Sequence, residues 1–542
     1  MNALLKIRDF SLFCGKNKIL DNINMDVFEG EILAVAGESG SGKSMLARSV
    51  LRLNDPKKFK TNGIILFEEE DINALPEKRL SKIRGAKIGM IFQEPLSYLN
   101  PVLKMGVQLN EAPIRHKKVR KREAILLMED LLEKLKINNP SAYMKSYPHQ
   151  LSGGMAQRGA IAIAASCRPR IIIADEPTSS LDVITQASII RLIKDLARVE
   201  GISVVFITHD LQLASRLADR VVIIEKGRIA EEGCIRKVFD SPKSKAASCL
   251  IRACMMGNFK KSKDSIDSKN SIIMKEHSVI KENKKPVLEV QNLSMHYKNG
   301  RGNIIRAVDD ISLEVFEGET LGILGESGSG KSTLARIVTR IQKPLSGKVV
   351  FEGTDIFGRR DYPRHVQMVF QDPFSSIDPQ MRIEDIVAEG MDMILGKNRW
   401  NRVEEVARCL QKVGLDESLK DRYPHQLSGG QRQRVGIARA VIMNPKIIVC
   451  DEPTAYLDTV SQMQILELFM KLKKENGISY VFITHNIRVL SSISDRIAVM
   501  LGGRIVETGR TEDIINNPVH PYTKILINAA SLNEEESKGN AN

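Results

Sequence analysis

Gly37–Ser44 reads GESGSGKS, and Gly325–Ser332 reads GESGSGKS again, 288 residues further along. Each copy has the form G-x-x-x-x-G-K-S/T. An apolar run precedes it (ILAVA at 32–36, LGIL at 321–324), and a helix-compatible run follows (MLARSVLRL at 45–53, TLARIVTRI at 333–341). The pattern predicts strand, glycine loop and helix, twice. Glycines let the backbone bend tightly and turn successive N–H groups inward, and the helix N-terminus adds partial positive charge, so an anion cradle is expected. Gly37, Ser39, Gly40 and Gly42 would line the first cradle, and Gly325, Ser327, Gly328 and Gly330 the second. Lys43 and Lys331 would reach the β- and γ-phosphates of a nucleotide, while Ser44 and Ser332 would place a hydroxyl on Mg²⁺. A glycine-rich turn with a chance lysine could account for one copy, not for two.

Other segments repeat as well. LSGG occurs at 151–154 and 427–430, IIIADEPT at 171–178 is answered by IIVCDEPT at 447–454, and FITHD at 206–210 by FITHN at 482–486, all offset by 276. FQEP at 92–95 is answered by FQDP at 370–373. One whole domain is therefore duplicated, with a period too long for a solenoid. Gln93 follows Lys43 by 50 residues and Gln371 follows Lys331 by 40, so the first copy carries ten extra residues, which are expected in loops. Between the copies, 256–286 is rich in Lys, Ser and Asn and poor in apolar residues. Such a stretch cannot bury enough surface to offset chain entropy, and it reads as a flexible linker.

Composition bounds the class. The chain has 542 residues, enough for two to four domains, with 42% hydrophobic and 27% charged residues, as in soluble globular chains. No apolar run approaches 18 residues and no signal peptide is visible at the start, so neither a membrane span nor export is expected. The seven cysteines (14, 167, 234, 249, 254, 409 and 450) contain no C-x-x-C and suggest a reducing cytosol. Cys234, Cys249 and Cys254 lie loosely together, where a metal or iron–sulfur site is conceivable, but their irregular spacing favours cysteines without a ligand. The net charge of +14 raises nucleic acid as a partner, but aromatics are only 5% and do not interleave with Lys/Arg, so a basic solvated surface is the simpler reading.

The remaining motifs carry chemistry. IIIAD and IIVCD are short apolar runs ending in a carboxylate, suited to buried parallel strands with Asp at the C-terminal end, where nucleotide sites form in open α/β sheets. Asp175 and Asp451 would hold Mg²⁺. Glu176 and Glu452 follow at once, are expected on the opposite side of the pleat, and would polarise an attacking water. His209 and His485 end the next β-like runs. A lone histidine is more often structural, but the same offset in both copies makes a γ-phosphate contact plausible. Gln93 and Gln371 could reach the metal and the water.

Glycine loop, FQ element, LSGG, hydrophobic-DE and terminal histidine, in that order, resemble the ATP-binding domains of ABC transporters over nearly the whole chain outside the linker. The resemblance implies an α/β chain of two tandem P-loop ATPase domains, 1–255 and 287–542, each with a mainly parallel sheet core and a helical subdomain carrying LSGG. It implies ATP and Mg²⁺ as cofactors, with Glu176, Glu452, His209 and His485 catalytic. In such proteins each ATP lies between the glycine loop of one domain and the LSGG segment of the other, so Gly37–Ser44 should face Ser428, Gly429 and Gly430, and Gly325–Ser332 should face Ser152, Gly153 and Gly154. An aromatic residue usually stacks on adenine. Tyr297 fits in the second copy; the matching first-copy position is Cys14, with Phe13 adjacent. Ala156 replaces a basic side chain after the first LSGG, and Tyr456 is bulky for its place. Two hydrolytic sites of unequal rate are expected.

The segments QEPLSYLNP (93–101), QDPFSSIDP (371–379) and NNPVHPYTKIL (516–526) resemble the dipeptide, oligopeptide and nickel importer branch, in which some fused chains serve peptide or glutathione importers. The first copy has SPKSKAASCLI (241–251) in place of HPYT. This implies two transmembrane permease subunits as partners, indirectly a periplasmic or surface substrate-binding protein, no nucleic acid, and a peripheral place at the cytoplasmic face of the bacterial inner membrane. The alternatives are a soluble tandem ABC ATPase acting on ribosomes or nucleic acid, and a tandem sugar-importer ATPase. The first would carry a long charged helical linker or zinc-binding cysteine pairs, and the second a degraded copy.

Overall fold

The computed structural model describes residues 3–179, 181–255, 285–298, 304–372, 375–396 and 401–535, with side chains to 530. Most of the expected linker, 256–284, lies outside the described residues. The chain divides into two compact units, the bulk of the first being Met1–Cys254 and the bulk of the second Met255–Leu457 with Ser461–Leu532.

Each unit is built on a six-stranded sheet. In the first unit the order is Arg228–Cys234, Arg220–Glu225, Ile32–Ala36, Ser203–Thr208, Ile171–Asp175 and Ile88–Ile91. All neighbours are parallel except the edge strand Arg228–Cys234. The second unit repeats this order with Arg504–Arg510, Arg496–Leu501, Thr320–Leu324, Ser479–Thr484, Ile447–Asp451 and Val366–Val369. The strands ILAVA, IIIAD and SVVFIT are buried at every residue. That is the expected pattern for a parallel sheet covered on both faces, where alternation would leave a polar side chain facing apolar neighbours.

A four-stranded antiparallel sheet accompanies each parallel one: Asn17–Phe28, Ala3–Cys14, Phe59–Phe67 and Glu70–Asp71 in the first unit. Its inward side chains, among them Leu5, Ile7, Phe10, Leu12 and Ile65, share one core with Leu33, Val35, Ile171, Ile173, Val205 and Ile207. The helix Lys43–Val50 contributes Leu46, Ala47 and Val50 to the same cluster. The glycine loop is thus clamped at both ends, by the strand before it and the helix after it.

The helical subdomain of the first unit runs from Met105–Ala112 through Lys121–Lys134 and Pro140–Lys145 to Gly153–Ala165. In the second unit Ile383–Leu395, Arg402–Lys412 and Gly429–Val441 take that place. The two subdomains fill equivalent buried positions with side chains of different volume. Gly159 in the first leaves room for the buried Tyr143, whereas the positions 276 residues on hold Val435 and Leu419.

Two expectations need correction. The helices after the glycine loops begin at the lysines themselves and stop at Val50 and Val338, short of 53 and 341. The ten extra residues do not all lie in loops. Gly63 follows Lys43 by 20 residues and Gly347 follows Lys331 by 16, and the strand Phe59–Phe67 is correspondingly longer than Ser346–Phe351. The rest builds the helix Glu77–Ile83, which buries Leu80 and Ile83 where the second unit has only the single turn Tyr362–His365.

Candidate functional site

The glycine loops are shaped by crowding. Gly42 and Gly330 sit in the left-handed region at φ 107° and 102°, as N-caps without a capping side chain. A Cβ on Gly42 would lie 2.6 Å from Leu20 Cδ2, and one on Gly330 would collide with the Ala307 carbonyl. Only glycine fits, and the first helical N–H groups are left without a side-chain partner, facing the loop. Ser39, Gly40, Ser327 and Gly328 are exposed on the open side. Lys43 Nζ donates to the carbonyls of Gly37 (2.8 Å) and Glu38 (2.7 Å), and Lys331 Nζ to those of Gly325 and Glu326 at the same distances. Both ammonium groups are therefore held by loop carbonyls and buried, with no carboxylate bonded to them in these contacts.

At the C-terminal end of the parallel sheet the predicted carboxylates meet the loop. Ser44 Oγ donates to Asp175 Oδ1 (2.9 Å) and Ser332 Oγ to Asp451 Oδ1 (3.1 Å). The next residue departs from expectation. Glu176 and Glu452 do not continue the pleat; they turn into the left-handed region at φ 44° and 45°. Their N–H groups still pair with the carbonyls of Ile207 and Ile483. A non-glycine residue in this region is strained, and the turn aims each carboxylate away from the strand face.

That turn brings two distant residues together on each glutamate. Gln93 Nε2 donates to Glu176 Oε2 (2.8 Å), and His209 Nδ1 lies 3.2 Å from Glu176 Oε1. In the second unit Gln371 Nε2 donates to Glu452 Oε2 (3.1 Å), and His485 Nδ1 is 3.1 Å from Glu452 Oε1. The sequence expectation that Lys, Ser, Gln, Asp, Glu and His converge thus describes both units.

Adjacent carboxylates are driven in opposite directions. Burial holds Asp175 and Asp451 above the usual carboxylate range, against the pull of the serine hydroxyls. Burial also acts to raise Glu176 and Glu452, but the histidine hydrogen bonds and the nearby lysine charge outweigh it, and both lie below their ordinary value. His209 shows the reciprocal effect: burial would lower it, and the bond to Glu176 raises it instead. Glu176 is consequently a charged acceptor, and Asp175 is a carboxylate lacking a full countercharge. Two neighbouring acids pushed apart in this way are a feature of working sites.

The LSGG segments open the long helices of the helical subdomains. Ser152 Oγ accepts from the Met155 N–H, and Ser428 Oγ from the Gln431 N–H, both at 3.3 Å. In the second unit Gln431 also accepts from the Ser428 N–H, completing a capping box that Met155 cannot make. Gly154 is required by space, since a Cβ there would come within 2.6 Å of Thr185 Cγ2. Gly153 and Gly429 begin the helices. The aromatic candidates lie on the antiparallel sheets. Tyr297 is exposed, and its hydroxyl bonds with Gln342. Ser11 and Ser294 pair with Asn62 and Ser346 across equivalent strands, which sets Cys14 at the place of Tyr297 and Phe13 at that of His296. Phe13 therefore points to the other face of the strand.

Sequence reasoning overlooked Ser179, whose Oγ donates to the Glu176 carbonyl (2.9 Å), steadying the strained turn. Ala455 occupies the equivalent position and lacks the hydroxyl. The substitution was legible in SSLD against AYLD, but its partner was not. Among the described residues no group of three or more His, Cys, Asp or Glu could hold a metal ion, and Cys234 is exposed while Cys254 is buried. No described helix is long and apolar enough to cross a membrane.

The ABC transporter family pattern matches residues 20–179 and 308–455, and the C-terminal region of oligopeptide/dipeptide transporters matches 506–541. The chain is 37% identical to the peptidoglycan transport ATP-binding protein YejF of Agrobacterium fabrum, over 97% of this chain and 96% of the other. It is 37% identical to the glutathione import ATP-binding protein GsiA of Escherichia coli strain K12, over 95% of this chain and 86% of that one.

Proposed function

The chain belongs to the ABC transporter family of ATP-binding proteins, and on that premise we propose that its ATP hydrolysis drives import of peptides, or of a related small solute such as glutathione, through membrane permease subunits. The observation that carries this reading is the pairing of two ATP-binding domains with the C-terminal oligopeptide/dipeptide transporter region in one chain. The relatives bear names of import and transport ATP-binding proteins over almost their full length. Two permeases, a substrate-binding protein outside the membrane and a peripheral place on the cytoplasmic face of the inner membrane follow from the same reading.

Each residue then takes a role in phosphoryl chemistry. Lys43 and Lys331 leave their loop carbonyls for the β- and γ-phosphates, exchanging neutral acceptors for charged ones. The donor set beside them suits Mg²⁺. A serine hydroxyl, a buried carboxylate short of positive charge and a glutamine oxygen are hard oxygen ligands, too few to form a cage without the phosphates of the nucleotide. Ser44, Asp175 and Gln93 would hold the ion in the first unit, and Ser332, Asp451 and Gln371 in the second. Bound there, it would neutralise charge developing on the phosphoryl oxygens.

Glu176 and Glu452 orient the attacking water. Each carboxylate is kept ionised by its histidine, and both of its oxygens are fixed in direction, one by His and one by Gln. His209 and His485 present their remaining ring nitrogen to the γ-phosphate. Ser152, Gly153 and Gly154, with Ser428, Gly429 and Gly430, supply hydroxyl and N–H donors to that same phosphate. Tyr297 stacks on adenine.

The test is isolation of the tagged chain from detergent-solubilised membranes, with mass spectrometry of what accompanies it. Two polytopic permeases and a peptide- or glutathione-binding receptor are expected. Ribosomal proteins or nucleic acid without a permease would overturn the import reading and leave the ATPase standing.

A further inference from the structure

The C-terminal segment of the second unit reaches its own glycine loop. The Glu326 N–H donates to the Tyr522 hydroxyl at 3.1 Å. Tyr522 belongs to the HPYT motif, is 9% exposed, and begins the helix Pro521–Glu535. Its place is fixed from below. The Tyr522 N–H donates to His520 Nδ1, while the Val519 and His520 N–H groups donate to the two oxygens of Glu507 on the edge strand Arg504–Arg510.

The N–H that Tyr522 accepts belongs to the peptide unit between Gly325 and Glu326. The carbonyl of that same unit, Gly325 O, accepts from Lys331 Nζ. A peptide unit is planar, so a partner on its N–H fixes the direction of its carbonyl. A chain of contacts therefore runs from the edge strand through His520 and Tyr522 into the first peptide of the loop and on to the lysine.

The first unit keeps the base of this arrangement and lacks its tip. Glu231 accepts from the Lys243 and Ser244 N–H groups as Glu507 does from Val519 and His520. At the position equivalent to Tyr522 stands Ala246. Lys43 contacts its loop at the same distances as Lys331, so the tyrosine is not needed to shape the resting loop. What it adds is a restraint.

We propose that Tyr522 is a positioning residue for the second nucleotide site, with its hydroxyl holding the Gly325–Glu326 peptide so that the loop binds ATP without further ordering. The C-terminal segment thereby tightens the second site and leaves the first untouched. This inference rests on the reading of Gly325–Ser332 as a nucleotide loop. A restrained loop loses less conformational freedom on binding, and that difference appears as affinity.

The experiment uses the full chain with one site silenced. In a Lys43→Ala background, ATP binding reports the second site; in a Lys331→Ala background, it reports the first. Tyr522→Phe retains the buried ring and removes only the hydroxyl. The expected result is an ATP Kd about three- to tenfold weaker in the first background, within the cost of fixing one backbone residue on binding. With Lys331→Ala, Tyr522→Phe leaves the Kd where Lys331→Ala alone puts it, and the melting temperature falls by the same small amount in both backgrounds, as the Glu326 N–H loses its partner. An unchanged or tighter Kd in the Lys43→Ala background, or an equal loss in both backgrounds, overturns the proposal. If Lys43→Ala alone binds no ATP, the nucleotide-loop reading itself fails, and the inference falls with it.

Discussion

Replacing Gly159 by alanine is a sharp probe of how the two helical subdomains solve one packing problem differently. Gly159 lies inside the helix that opens with Ser152–Gly154. A Cβ there would overlap the Tyr143 hydroxyl and come within 3.0 Å of Met105 Cε. Tyr143 cannot swing aside freely: it is 3% exposed and donates to the Met155 carbonyl at 2.9 Å. Overpacking a rigid core costs about 1–3 kcal/mol, and losing the tyrosine hydrogen bond about 1 more. Alanine returns about 1 kcal/mol in helix propensity, which leaves a net loss of about 1–3 kcal/mol. Hydrogen exchange of the Gly153–Ala165 amides in the full chain reads this locally, without requiring two-state unfolding of a two-unit protein. Gly159→Ala should speed exchange of that helix roughly 5- to 140-fold, at about 1.4 kcal/mol per factor of ten. Tyr143→Leu should be destabilising alone through the cavity it leaves, by about 2 kcal/mol or more. Gly159→Val with Tyr143→Leu reproduces the Val435 and Leu419 pair of the second unit and should recover most of the loss. Exchange that is unchanged or slower in Gly159→Ala, or a double variant no better than the sum of Gly159→Val and Tyr143→Leu measured singly, would refute the volume-exchange argument.

Three further expectations concern the site. Glu452→Gln, with Glu176 intact, should lower ATP turnover by a factor of about 100 or more at the second site, the usual scale for removing a positioned proton acceptor; undiminished single-turnover hydrolysis there would count against the assignment. Cys14→Tyr should tighten nucleotide binding by the first unit several-fold, because an aromatic residue would then occupy the place held by Tyr297 in the second; equilibrium titration in a Lys331→Ala background checks this. The Glu176–His209 pair predicts a signed pH dependence. The raised His209 contributes stability below about pH 6.5 that is lost as pH climbs through its folded pKa, and the lowered Glu176 contributes stability above about pH 4.3 that is lost as pH falls through its own. The melting-temperature gap between wild type and Glu176→Gln should therefore be widest between those values and narrow above pH 6.5. A gap that widens from pH 6.5 to 8 contradicts the assigned pair.

Local sequence determined a great deal. The octapeptide specified its own shape, because Gly42 and Gly330 occupy a backbone region closed to other residues and Lys43 and Lys331 start the helices that follow. Unbroken apolar runs specified buried parallel strands, and a carboxylate closing each run placed Asp175 and Asp451 at the sheet edge. Recurrence at an offset of 276 specified two copies. These features follow from forces that act over a few residues: φ preference, side-chain period and helix termination. What faces what was decided only by tertiary structure. Gln93 and His209 meet Glu176 from other strands, and the strained turn at Glu176 that permits this leaves no mark in the letters DEP. Part of the extra residues of the first copy became the helix Glu77–Ile83 because Leu80 and Ile83 found a place in the core, which their position between motifs did not reveal. Gly159 is intelligible only beside Tyr143, and Tyr522 only beside Glu326, nearly 200 residues earlier in the chain. Such pairings arise from the packing of whole layers, in which the neighbours of a side chain are set by the sheet order and not by the residues next to it.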